Sequence, residues 1–301
     1  MRLAFGVAML GCLVAVLGGP QSAYTQGPAG SLLARHYVEN ERLSYRLTAT
    51  ERNRTATTSN AATARGVVTR DQSGRFVEEF QWGDVVQNGV PFAIPAANQG
   101  FRQLISLDPE VTPKLPDFSA IHPRLIGPSS DFMNFYADVW LAMRQAGLRQ
   151  AGDRVTVAHG GPNSWADGTR VILGEDAIDF ILSLESLDRA RDTATLVINH
   201  VPPDRAYVRT PAEWMRTPLS NRPNNWVKVL KMTPARYIAS VGVETFVVRV
   251  VLTLTTGKIL SVTMDNPVQV LERECSDAML AMCGEPVRYQ IVRRVEMTEA
   301  P

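Results

Sequence analysis

Four histidines, His36, His122, His159 and His200, are the only imidazoles in the chain. None stands at metal-ligand spacing from another, so the sequence carries no zinc or iron motif. The stretch from Asp153 to Gly168 holds His159, Ser164 and Asp167, the side-chain types of a nucleophilic triad. A hydrolase elbow needs Gly-x-Ser-x-Gly on a strand-to-helix turn; Gly161-Pro162-Asn163-Ser164 misses that spacing and no helix pattern follows. The segment therefore reads as a glycine-rich hairpin with His159 ending a strand. Glu78 and Glu79 are adjacent, as are Glu175 and Asp176, and neighbouring strand positions point to opposite faces, so neither pair is an acid/base couple. No glycine-rich phosphate loop precedes a helix. A hydrolase using His159 or His200 with acids assembled by the fold stays as the catalytic alternative. For ligand contact the candidates are Trp165, in a polar loop, and Trp214, on a short helix; Trp140 belongs to a core.

Cysteine usage and the N-terminus bear on the compartment. After Arg2 an apolar stretch runs from Leu3 to Gly18, then Gly19-Pro20 and the small or polar Gln21, Ser22 and Ala23. That is the pattern of a secretory signal peptide spanning 1–23, cleaved after Ala23 and leaving no integral membrane span. Cys12 lies inside this core and is not its end, which argues against lipidation. The exported chain would keep Cys275 and Cys283, an even pair that in an oxidising compartment reads as one disulfide. Its charge would be zero, because losing Arg2 reduces 31 basic residues to 30 against 30 acidic ones. A neutral, unclustered balance disfavours nucleic acid.

These side chains must be held by strands for the most part. With 45% hydrophobic and 20% charged residues the composition is that of a folded globular protein. Residues 24–32 form a Gly/Pro/Ser/Gln lead-in, and 33–301 a single β-rich domain whose one possible division falls near 129–152. Arg42 to Arg52 alternates Leu43, Tyr45 and Leu47 with polar residues, a half-buried strand. A linker over 53–62 precedes a strand at Thr63 to Arg70, and Asp71-Gln72-Ser73-Gly74 and Asn88-Gly89 mark turns. Pro109, Pro113, Pro116, Pro123 and Pro128 make a strap that should exclude helix up to Ser130. Ser129-Ser130-Asp131 then caps a helix running to about Ala146. Phe132, Phe135, Tyr136, Val139, Trp140 and Met143 share one broad face, with Asn134, Asp138 and Gln145 on the other. Strands follow at 154–159, 169–173, 178–185, 193–201, 226–231, 246–254, 260–264 and 287–291, at hairpin distances that imply antiparallel pairing. The fold expected is mainly β (α+β): a large curved antiparallel sheet or open barrel covered by one aromatic-rich helix.

This element order, with the helix start Asp131-Phe132-Met133-Asn134-Phe135-Tyr136, resembles secreted bacterial proteins of unknown function and is loosely similar to the lipoprotein-carrier open barrel. The resemblance implies a curved sheet holding a helix in its concave side. The chain departs from it by the Cys275 to Cys283 loop, and no functional residue carries over. The function expected is that of an exported, secreted or periplasmic, non-catalytic binding protein without a cofactor. Its partner would be an apolar small molecule, a lipid or an envelope protein; a structural or interaction module is the third reading.

Overall fold

The computed structural model describes residues 31–111, 113, 117, 121–158, 162–166, 171–175, 178–204 and 210–300, with 162–166 and 171–175 described by backbone alone. The expected signal peptide and His159 lie outside the described residues. The first half carries β1 (Arg42–Arg52), β2 (Thr57–Arg70), β3 (Phe76–Gln87), β4 (Val90–Phe92), β5 (Gln103–Ile105) and one helix, α1 (Pro123–Met143). The second carries β6 (Arg154–Ala158), β7 (Pro162–Ala166), β8 (Val171–Glu175), β9 (Asp179–Asp188), β10 (Thr193–Val201), β11 (Trp226–Thr233), β12 (Arg236–Glu244), β13 (Phe246–Thr253), β14 (Ile259–Cys275) and β15 (Val287–Glu299). Thirteen strands form one open antiparallel sheet in the order β4-β3-β2-β1-β15-β14-β13-β10-β9-β6, with β5 on β3 and β12 and β11 beside β14. β7 and β8 make a separate hairpin.

Local chemistry explains the first hairpins. On β1 the alternation buries Leu43, Tyr45 and Leu47. Between β2 and β3 the Asp71 carboxylate accepts from the backbone N–H groups of Ser73 and Arg75, while Gly74 takes φ 79°. Asn88 and Gly89, at φ 49° and 77°, form the tight β3–β4 turn that the Asn-Gly pair predicts. β2 begins at Thr57, inside the expected linker: its Thr/Ser/Asn/Ala residues pair with β1 over Arg52↔Thr57 to Thr48↔Ala61. Ladder hydrogen bonds override weak local propensity there.

The long terminal strands set the architecture. β14 runs 17 residues, far past the expected 260–264, and lies beside β15 from Ser261↔Thr298 to Glu272↔Val287. Along its other edge β13 covers the first part and β12, which the sequence reading left unassigned, covers the second. β12 and β13 thus form nearly one strand, interrupted at Thr245 opposite Asn266 and Pro267. β10 then continues the sheet from β13, and β11 continues it from β12.

The sheet has to wrap around α1. Along the strand order β3 and β10 are six steps apart, about 29 Å on a flat sheet at ~4.8 Å per step. Yet Tyr136 hydrogen-bonds Glu78 on β3, and Asp138, two residues later, hydrogen-bonds His200 on β10. Only a strongly curved sheet brings both strands to one helical turn.

α1 itself corrects two expectations. It begins at Pro123 rather than Asp131, with His122 as N-cap accepting from the Arg124 N–H at 3.2 Å. Proline at the first helical position loses no helical hydrogen bond, and Pro128 stands in the second turn, so the prolines do not exclude helix. Second, the polar face is not a surface: no residue from Leu125 to Met143 is exposed, and Asn134 and Asp138 are as enclosed as the aromatics. Phe132 packs at ring distances of 4.7 Å to Phe80, 5.5 Å to Trp82 and 5.8 Å to Tyr45, filling the concave side of the sheet. A second, smaller apolar cluster of Met215, Val227, Val241, Leu271 and Leu280 lies beyond the Thr245 break.

Candidate functional site

Two constellations concentrate the chemistry, one under the helix and one at the end of β14. The first forms where the β12–β13 edge is broken. Glu51 on β1, Arg293 on β15 and Asn266 on β14 are directly opposite one another, so they share one face of the sheet. Arg293 donates to Asp131 of α1, both groups being buried. At the break, Asn266 Nδ2 donates to Glu244 Oε1 at 3.2 Å and to the Thr245 carbonyl at 3.0 Å. Asn225 takes over the missing ladder bonds: its Nδ2 donates to the Glu244 carbonyl and its Oδ1 accepts from the Glu244 N–H. His200, paired with Phe246 near the end of β10, places Nε2 2.9 Å from Asp138 Oδ1 and 3.1 Å from Oδ2. Phe180 and Phe246 flank its ring at 4.7 and 5.3 Å.

Burial governs the electrostatics of this row. The half-covered Glu244 carboxyl is pushed up to about 7 by desolvation, against the Asn266 hydrogen bond and the attraction of Arg293 and His200. Burial also raises the Glu51 carboxyl, with Arg293 and Lys228 pulling it back, and raises that of Asp131 against Arg293. A carboxyl near 7 beside an imidazole has the acid/base range for proton transfer. Among the described residues, however, no hydroxyl or thiol hydrogen-bonds His200, so the Asp138–His200 pair has no nucleophile to activate. The described residues also contain no group of three His, Cys, Asp or Glu that could hold a metal.

A separate buried network anchors the N-terminal strap on the aromatic side of α1. Glu78 accepts from Arg35 Nε at 3.1 Å and from the Tyr136 hydroxyl, and Arg35 also donates to Glu41 at 2.6 Å. The strap passes so close to the β13–β14 turn that a Cβ on Gly257 would stand 2.3 Å from the Ala34 carbonyl oxygen. Every charge in this network is engaged, which marks it as structural.

The second constellation is the loop joining β14 to β15. Cys275 and Cys283 are at disulfide distance, with Sγ atoms 2.02 Å apart. Within the loop the Asp277 carboxylate accepts from the N–H groups of Ala281 and Met282, and the Ser276 N–H donates to the Met282 carbonyl at 2.9 Å. Leu280, at φ 56°, is buried, while Met279 and Met282 are 74% and 64% exposed. An open pocket of about 550 Å³ beside Met282 is edged by the Arg236–Glu274 pair.

Of the sequence candidates, Trp214 sits on the single 3-10 turn Glu213–Arg216, where the capping pattern placed a short helix. Its Nε1 donates to the Leu280 carbonyl at 3.1 Å and Arg273 lies over its ring, so it supports the loop from beneath. Trp165 is on β7, with its side chain outside the described residues. His200 is brought to an acid and to a neutral aromatic setting. Asp131, Asn134, Glu244 and Arg293 were not singled out as a site by sequence. The available signal was charge scarcity: α1 has only Arg124, Asp131 and Asp138 as charged residues in 21, too few for a helix with a solvent face.

The fold is therefore that of a mainly β protein with a large open antiparallel sheet around one helix. No family model matches the chain, and no curated protein matches it. Among solved structures it is similar to a triple mutant of Rhodopseudomonas blastica porin, at 7% identity over 86% of this chain and 99% of the porin, with a TM-score of 0.16. It is also similar to the Pseudomonas aeruginosa MucA/MucB complex, at 11% identity over 87% of this chain and 89% of that one, with a TM-score of 0.15. Superpositions at that level carry no argument about fold or activity.

Proposed function

We propose that this is an exported, non-catalytic binding protein that engages an envelope protein through the disulfide-stapled tip between β14 and β15. The observation supporting this reading is the over-determined tip. A left-handed Leu280, a conformation that costs roughly 1–2 kcal/mol for a non-glycine residue, is held with its side chain inside the second apolar cluster. The same turn leaves Met279 and Met282 outside. Unbranched, polarisable methionine side chains on a rigid frame suit an adaptable apolar contact. Filling of the concave face by Phe132, Tyr136 and Trp140 speaks for a protein partner over a lipid in the sheet.

A photo-activatable residue placed at position 279, and in a control at the exposed Ser73, tests the reading in cells exporting the chain. A discrete adduct from 279 alone, abolished when Met282 is changed to serine, is the expected result. Equal labelling at both positions, or stoichiometric lipid in the native mass spectrum, overturns it.

A further inference from the structure

The polar row beneath α1 is costly to bury, and its make-up indicates when it is balanced. Facing one another are Asp131, Asn134 and Asp138 from α1, Glu51 from β1, His200 from β10, Lys228 from β11, Glu244 from β12, Asn266 from β14 and Arg293 from β15. Asn134 belongs to the same stripe, three residues after Asp131 and four before Asp138, and its buried Nδ2 has no hydrogen-bond partner. Four carboxyls thus share the row with Arg293, Lys228 and one imidazole.

We propose that this row is a pH-sensitive latch that clamps α1 to the sheet at mildly acidic pH and loosens it at mildly alkaline pH. With a proton on Glu244 and a cationic His200, the remaining carboxylates of Asp131, Asp138 and Glu51 are matched by three cations. Losing both protons leaves two unbalanced negative charges, and they lie at the helix–sheet contact where water cannot fully screen them. The Thr245 break makes this place sensitive: Glu244 and His200 stand at strand ends, so repulsion there meets no continuous ladder. Histidine changes charge between pH 5 and 8 in proteins generally, and burial carries the Glu244 carboxyl into the same range.

The test follows amide hydrogen exchange in the full exported chain at pH 5.5 and 8.5, corrected for the intrinsic pH dependence of exchange. Amides of residues 132–140 should lose about tenfold in protection, relative to those of β1, on going to pH 8.5. Glu244→Gln keeps an amide oxygen for Asn266 and removes the titrating proton, so its loss of protection should shrink to threefold or less. A wild-type ratio that stays flat overturns the proposal. So does an E244Q variant with the wild-type pH dependence, which is what a merely structural Glu244 gives. Should E244Q not fold, the carbon-13 carboxyl signals of wild-type chain labelled at glutamate decide: the latch requires one to titrate well above the ordinary range, and none doing so overturns it.

Discussion

Arg293 is the cation on which the buried row depends, since Asp131 lies against it and Glu51 stands opposite it on β1. Replacing Arg293 by methionine strands a carboxylate under the helix, and urea unfolding should show a loss of about 3–5 kcal/mol. The double variant Asp131→Leu with Arg293→Met removes both charges and should recover at least half of that loss; no recovery would mean that Asp131 is not its main partner. Little of this was legible in the sequence. Asp131 and Arg293 are 162 residues apart, Asp138 and His200 62, and no spacing rule links residues across such distances. His200 could be named as a candidate by its type, but its acid could not. Glu244 adds a residue-scale prediction with a defined sign. Its folded carboxyl is raised from 4.5 to about 7, so its contribution to stability is full below 4.5 and is lost as pH rises through 7. Allowing for partial solvent screening, the unfolding free energy should fall by roughly 1–2 kcal/mol between pH 4.5 and 8, and E244Q should remove most of that slope.

Elements were readable where one face is buried and opaque where tertiary pairing decides. β1 and β10 follow from alternation and from an apolar pattern bounded by turns. β2 starts six residues before Thr63 because its polar first half is fixed only by β1, and β12 hides because Ala239, Ser240 and Gly242 give it a weak apolar signal. Two element-scale outcomes check the packing. Alanine at Gly66 would put a Cβ 2.5 Å from the Phe80 ring, which is itself wedged against Phe132. In an open strand that change would be neutral or helpful, whereas here it should cost about 1–3 kcal/mol by thermal unfolding. At the tip, replacing Cys275 and Cys283 by alanine frees a loop closed across eight residues and should lower stability by about 2–3 kcal/mol. An unchanged midpoint would show that Asp277, Trp214 and Leu280 hold the tip unaided.

At the scale of the whole molecule the question is whether the region beyond the Thr245 break unfolds by itself. It has its own apolar cluster and its own edge strand, β11, features expected of an independent unit. Against that, β14 and β15 run through both regions as one continuous ladder from Ser261↔Thr298 to Glu272↔Val287, and no linker separates them. Opening one region would expose the flank of a strand still paired in the other, and α1 would lose Asp131's contact to the strand they share. We therefore expect one cooperative transition: at pH 5.5, where the row under α1 is balanced, the slowest amides of β12 and of β1 should exchange through the same opening event. Their free energies should agree within about 0.5 kcal/mol. A value for β12 lower by more than about 2 kcal/mol would mark the disulfide-stapled end as a separately unfolding unit, with the tip able to disengage while the sheet around the helix stays folded.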